Sequence, residues 1–322
     1  MPLTRLAFPE IWDSTMLEDL HDCPRKFFWE WIWRIRPAGT SVHLETGAAF
    51  ARGLELARHA YFAEGRDEEL AVRLGLLELL RVYPFEDGSP NKKPLNKVAE
   101  AFVGYFDRWP MSSDYLVPVD YYGRKGIEFS FAVPLPILHP VSGNPLTICG
   151  RADMIASYKD GVFIEDDKTQ SQLGATWPAK WKMRGQFQCY TWAARQYGYQ
   201  VDGAIVRGIR ITENIDFAEA IVYEPVWKTN RWYSQTLDDI RRALVMWEDS
   251  AQAWQAGIGY EPYDSFPLAM NDACNSYGGC GFLDLCDQPN PLKWIDERYQ
   301  DQGWNPLTRK DEPLVQIEEA TR

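Results

Sequence analysis

The chain has 322 residues, 45% of them hydrophobic, with six cysteines, 14 tryptophans and a net charge of −12 at pH 7. That length buries a substantial core in one large domain or two intimate ones, and no apolar run reaches the length of a membrane span. The negative balance excludes a surface coated in positive charge for bulk nucleic-acid binding, so any such contact must come from local basic patches.

Residues Met1 to Arg5 lack the charged-then-apolar layout of a signal peptide, and a cytoplasmic setting is expected. Asp13 or Ser14 caps a helix that carries Leu17 and Leu20 on one face, and Pro24 breaks it or starts a second helix, leaving Cys23 at the junction. Trp29, Trp31 and Trp33 interleave with Arg25, Lys26, Arg34 and Arg36, which suits either a nucleic-acid strand or an amphipathic helix burying its indoles. Apolar periodicity predicts helices over Glu45 to Glu64, Asp67 to about Val82 and Leu95 to Trp109, with a polar loop between Tyr83 and Pro94. Tyr115 to Val133 reads as strands, and Pro134, Pro136, Pro140 and Pro145 mark a loop that returns the chain to its central stretch.

That stretch is Ile148 to Ile155 followed by Val162 to Thr169, two β-rich runs separated by Lys159-Asp160-Gly161. An Asp-Gly pair between such runs predicts a hairpin. With Asp160 and Gly161 at the turn centre, Lys159 pairs with Val162, Asp153 with Lys168 and Ile155 with Asp166. Side chains alternate along a strand, so Asp153, Asp166 and Lys168 converge on one face. Two carboxylates that close repel unless a cation joins them, and hard Mg²⁺ or Mn²⁺ prefers carboxylate, carbonyl and water oxygens. The lysine then orients a water or offsets charge developing on a phosphate.

Beyond the hairpin, Gln170 to Lys180 is a loop and Trp181 to Gly198 a helix that projects Gln186 and Tyr190 from one face. Trp177, Lys180, Trp181, Lys182 and Arg184 form a basic-aromatic cluster suited to DNA phosphates and bases. Strands over Gly203 to Arg210 and Ala218 to Val226, then a long helix over Trp232 to Trp254, complete an α/β order.

Gly150-Arg151-Ala152-Asp153, Asp166-Asp167-Lys168 and Gln186-Phe187-Gln188-Cys189-Tyr190 together resemble the motifs of the PD-(D/E)XK nucleases, in particular their RecB-like branch of CRISPR-adaptation and phage-type exonucleases. The resemblance implies that Asp153 and Asp166 bind metal through carboxylates and Asp167 through its main-chain carbonyl. It implies that Lys168 acts on the attacking water, with Gln186 and Tyr190 holding the strand or the lysine. The family's G-x-x-x-H histidine is absent, since Gly47 is followed at that spacing by Ala51. Glu55, one turn on, either supplies a carboxylate in its place or is a solvated helix residue. Glu128 resembles the acid preceding the catalytic strands, but a structural salt bridge is its expected role.

Cys274, Cys280 and Cys286 are spaced C-x₅-C-x₅-C in a glycine-rich run, and Cys23 is the remaining candidate for a fourth ligand, whereas Cys149 and Cys189 sit inside apolar elements. Four thiolates accept either zinc or a [4Fe-4S] cluster. One early and three late cysteines resemble the iron-sulfur nucleases of the same branch, so the cluster is expected, with zinc the alternative.

The expected architecture is thus a restriction-endonuclease-like α/β core, a mixed sheet flanked by helices, with N- and C-terminal segments joined by a metal cluster. Its expected divisions are a helical segment (1–40), nuclease core (41–260), cysteine segment (261–290) and tail (291–322). The resemblance implies a Mg²⁺- or Mn²⁺-dependent DNA exonuclease acting on single strands or free ends, with recombination or repair proteins as partners, in a bacterial or phage-infected cell. The alternative is a DNA-binding recombination partner of the same fold without activity. Cleavage polarity and oligomeric state are not written in the chain.

Overall fold

Asp13 accepts a hydrogen bond from the Met16 amide at 2.9 Å and so starts helix α1 (Ser14–Asp22). Pro24 opens the next helix at its first position, where the missing amide costs nothing. The computed structural model describes residues 6–39, 42–84, 93–121, 124–257, 261–301 and 307, so most of the expected polar loop over 83–94 lies outside the described residues.

In chain order the elements are β1 (Ile11–Trp12), α1, α2 (Pro24–Phe27), β2 (Ile35–Pro37), α3 (Val42–Arg58), α4 (Glu68–Val82), α5 (Leu95–Arg108) and β3 (Val117–Pro118). Then follow β4 (Asp120–Tyr121), β5 (Arg124–Lys125), β6 (Ile127–Leu138), β7 (Pro145–Tyr158), β8 (Gly161–Gln170), α6 (Gly185–Gln196), β9 (Gly203–Arg210) and β10 (Asp216–Tyr223). Helix α7 (Val226–Ala256), α8 (Leu283–Cys286) and β11 (Tyr299–Asp301) follow.

The chain forms two compact units. One comprises Met1–Gly39, Ala132–Gly150 and Asn230–Glu318, the other Thr40–Phe131, Arg151–Thr229 and Glu319–Arg322. In the first, β1 pairs in parallel with β7 at Ile11↔Thr147 and Trp12↔Ile148, and β2 pairs antiparallel with β11. Trp29, Trp31 and Trp33 are all buried here, against Tyr263 for Trp29 and Trp254 for Trp33. The amphipathic-helix reading of these tryptophans therefore holds for all three, and they are no path for a nucleic-acid strand.

In the second unit β8 lies between antiparallel β7 and parallel β9, with β10 antiparallel to β9, a mixed sheet. A core of Phe50, Leu54, Ala57, Phe102, Tyr105 and Trp109 from α3 and α5, with α4, packs against Ile209. Helices α3 and α4 cross at Gly53 and Gly75, where a Cβ on Gly75 would lie 2.5 Å from the Gly53 carbonyl oxygen. Gly75→Ala gains about 1 kcal/mol of helix propensity but overpacks this crossing at about 1–3 kcal/mol. It is expected to lower Tm in a thermal melt, and a raised Tm would show that the crossing yields freely.

Three expectations need correction. Pro134 and Pro136 do not end the strand; β6 runs on to Leu138 with both prolines exposed and Val133, Leu135 and Ile137 buried, an alternation that proline tolerates where no ladder amide is required. The helix carrying Gln186 begins at Gly185, four residues later than its composition suggested. The hairpin register is shifted by two: Tyr158 pairs with Gly161 and Met154 with Glu165, so the turn centre is Lys159-Asp160. Lys159 itself takes the left-handed conformation, φ 52°. Gly161 is there for close approach, since a Cβ would meet Asp202 Oδ2 at 2.5 Å. A shift of two keeps every side chain on its expected face, whereas a shift of one would have inverted them.

Candidate active site

Because β8 alternates, Asp166 and Lys168 face one side of the sheet, and Glu165 and Asp167 the other. Met154 pairs with Glu165, which leaves Asp153, the preceding residue of β7, on the side of Asp166. Helix α6 covers this side. Gln186 Nε2 donates to Asp166 Oδ1 at 3.1 Å and to the Tyr190 hydroxyl at 3.2 Å, one helical turn along. Lys168 Nζ donates to Asp166 Oδ1 at 3.0 Å and lies 2.5 Å from Oδ2. The Asp167 amide donates to Asp153 Oδ2 at 2.9 Å. The structure thus brings together Asp153, Asp166, Lys168, Gln186 and Tyr190.

Burial pushes Asp153 up to about 7, and the neighbouring Asp166 and Asp167 carboxylates add to the rise. Asp166 is likewise raised by burial, against the pull of Lys168. For Lys168 burial acts downward, but Asp166 and Asp153 outweigh it and hold the ammonium above its ordinary value. Without a metal on the carboxylates, Lys168 is thus held in its charged form beside Asp166.

The donor set suits a hard divalent cation. Two buried carboxylates crowd each other here, and Asp166 Oδ2 makes no well-aligned hydrogen bond. Among the described residues no three His, Cys, Asp or Glu side chains are placed to hold a metal by themselves, and Mg²⁺ commonly takes only one or two carboxylates beside carbonyl, water and phosphate oxygens. Gly47 of α3 sits against Thr169, 3.5 Å from where its Cβ would lie to Thr169 Oγ1, so Ala51 shares the helix face turned to β8. Glu55 is ion-paired with Arg52 at 2.8 Å, and Arg52 also reaches Glu78 of α4 at 3.1 Å. Glu128 pairs with Arg151 at 2.8 Å, its salt-bridge role.

The basic-aromatic cluster divides. Trp181 is buried, edge-on to Trp177, while Lys180 and Lys182 are exposed and Lys180 Nζ lies 4.4 Å over the Trp181 ring. Arg184, at the start of α6, is close enough to pull on both Asp166 and Lys168.

The profile of the PD-(D/E)XK nuclease superfamily matches residues 14–287, more than four fifths of the chain. The chain belongs to the PD-(D/E)XK nuclease superfamily. Its matched stretch contains the whole Asp153–Asp166–Lys168 site as well as Cys23 and Cys286. Among solved structures, SSO0001 is similar at 17% identity over 59% of this chain and 73% of its own, with a TM-score of 0.27. A Eubacterium rectale protein provisionally assigned as an exonuclease is similar at 14% identity over 73% and 80%, with a TM-score of 0.43. No curated protein matches the chain.

This superfamily member also carries polar residues that the motifs do not announce. Arg58 Nη2 donates to Glu165 Oε1 at 2.7 Å, Asp167 Oδ2 at 2.7 Å and the Tyr105 hydroxyl at 2.8 Å. Arg207 of β9 holds Asp114 through two hydrogen bonds of 2.7 Å. One signal for Arg58 was available: with Phe50 and Leu54 it forms an i, i+4, i+8 series on the buried face of α3.

Of the cysteines, Cys149 and Cys189 are core residues, 1% and 0% exposed. The other four lie in one unit, but among the described residues no three of them are placed together as the ligands of one metal. The Cys280 thiol feels those of Cys23 and Cys274, and the Cys286 thiol those of Cys23 and Cys280. Burial pushes Cys286 up to about 11, opposed by the Arg25 guanidinium and by the Trp29 indole, whose buried N–H has no well-aligned acceptor. Lys26 likewise pulls Cys280 down against burial.

Proposed function

We propose that this chain is a divalent-metal-dependent deoxyribonuclease that removes nucleotides from DNA ends. The observation that carries it is the convergence on Asp166 of Lys168 and Gln186, beside a second buried carboxylate, Asp153. Asp153, Asp166 and the Asp167 carbonyl would hold Mg²⁺ or Mn²⁺. When bound, such an ion supplies Lewis acidity toward the phosphate and acidifies a water. Lys168, hydrogen-bonded to Asp166, orients the attacking water and offsets negative charge on the phosphate. Gln186, fixed by Tyr190, keeps Asp166 aimed. Glu55 is the carboxylate nearest in sequence to the family's absent histidine, and its transfer from Arg52 to the ion belongs to this reading. Lys180, Lys182 and Arg184 contact phosphates without reading sequence.

The reading extends to the four cysteines as a structural [4Fe-4S] site, with zinc as the alternative. What supports it is their shared unit, their mutual electrostatic influence and the cationic and N–H donors of Arg25, Lys26 and Trp29 around the sulfurs. Recombination or repair in a bacterial or phage-infected cell is the setting that fits end processing. Ala51 favours a second reading, a DNA-binding partner of the same fold without turnover.

Anaerobically purified protein with 5′- or 3′-labelled single- and double-stranded DNA, and with closed circles, decides between them. Loss of end label with Mg²⁺ or Mn²⁺, suppressed by chelator and slow on circles, is the expected result. Binding without cleavage under every metal condition would overturn it in favour of the second reading.

A further inference from the structure

Strand β8 presents its reacting face by virtue of what grips its opposite face. Glu165 is fully buried, and Arg58 and Arg207 are 4% and 1% exposed. A buried ion network of this kind seldom stabilises more than apolar side chains of the same volume would, so its retention calls for another account. Arg58 Nη2 is bonded at once to Glu165 and Asp167, the residues that flank Asp166 on either side. The peptide amide of Asp167 is in turn the donor to Asp153 Oδ2. One guanidinium on α3 thus fixes the strand on both sides of one carboxylate and orients the amide that holds the other.

We propose that Arg58 is a positioning residue for the metal-binding carboxylates: it sets the twist and height of β8 so that Asp153 and Asp166 meet at one ion. It touches neither substrate nor metal. The assignment rests on the nuclease reading for its consequence in cleavage, but its immediate effect is on metal affinity, which is measured without DNA. Tyr105 supports the same atom from α5 at 2.8 Å, which leaves the guanidinium little freedom. Lysine at this position keeps the charge but carries it as a strongly hydrated point charge on a flexible stem, without the rigid planar guanidinium that holds Nη2 between Glu165 and Asp167.

The test is Mn²⁺ titration by calorimetry and electron paramagnetic resonance, with kcat and KM on DNA. Arg58→Lys is expected to weaken Mn²⁺ binding and to lower kcat, each by about 10–100-fold, the range seen when outer-sphere supports of metal ligands are lost. KM for DNA stays unchanged. A second variant, Arg58→Met with Glu165→Leu and Asp167→Leu, removes Arg58 together with the two carboxylates it grips and leaves Arg207 paired with Asp114 and Glu219. It is expected to fold and still bind Mn²⁺ weakly. Wild-type Mn²⁺ affinity in either folded variant overturns the proposal, as does failure of both to fold, which would make Arg58 a structural residue alone. Wild-type protein that binds Mn²⁺ through Asp153 and Asp166 yet cuts no DNA would instead defeat the nuclease reading and leave the Arg58 assignment to the titration.

Discussion

Asp153→Asn is expected to abolish cleavage, by about 10³-fold or more, and at the same time to stabilise the metal-free protein at pH 8. The first effect follows from the loss of a metal carboxylate, since activation of the water and neutralisation of the phosphate both depend on it. The second follows from linkage. The folded-state pKa of Asp153 is raised from 3.8 to about 7, so the folded protein holds this proton more tightly than the unfolded chain does. The stabilisation is complete below pH 4 and is lost as pH climbs through 7, where a buried charge is left beside Asp166. Asparagine keeps an acceptor for the Asp167 amide and never charges. In melts with chelator the variant should exceed wild type by about 5 °C or more at pH 8, taking 2–4 °C per kcal/mol, with the gap closing at pH 5. Added Mn²⁺ should raise the wild-type Tm and not the variant's. A gap that does not vary with pH would show that Asp153 is not the strained carboxylate described here.

The faces of the hairpin were legible because they depend only on alternation, and a register error of two residues leaves alternation intact. The register itself was not, because it depended on which residue took positive φ. Lys159 did, while Gly161 was held by its contact with Asp202. The four-residue spacing of Gln186 and Tyr190 placed them on one helical face, and only the resemblance to the family's motif implied that this face meets the site. Arg58 could not be paired with Glu165, 107 residues away, because nothing local in the sequence encodes which strand a helix will cover. Its place on an apolar helix face was visible; its partners were not. The abundant tryptophan left two uses open, stacking platforms or core, and the core reading is the one the fold takes. Trp29, Trp31, Trp33, Trp177 and Trp181 lie beside basic residues in the sequence, yet each is buried, and among the described residues only Lys180 lies over any of these indoles, those of Trp177 and Trp181.

Cys280→Ala is expected to remove the iron and acid-labile sulfide of anaerobically purified protein together with its brown colour, and to lower Tm by about 10 °C, a loss of 3–5 kcal/mol at 2–4 °C per kcal/mol. The drop is bounded because the N-terminal segment is tied to residues 261–301 without metal. Arg25 Nε donates to the Phe266 carbonyl at 2.7 Å, Phe28 packs on Phe266 at 5.1 Å, and β2 pairs with β11. A site holding that junction adds to packing already present, so the variant should fold and lose cooperativity there first, with the hairpin's own unit less affected. If four thiolates act as one site, Cys23→Ala should cost as much as Cys280→Ala, and the double variant little more than either, since residues that serve one centre are not additive. Cys149→Ala, at a buried position inside β7, is the matched control and should keep its metal. Zinc in place of iron, lost in the same variants, would retain the four-cysteine assignment and change only the element. Metal content and melting unaltered by Cys280→Ala would remove the cluster and leave the junction to its aromatic packing.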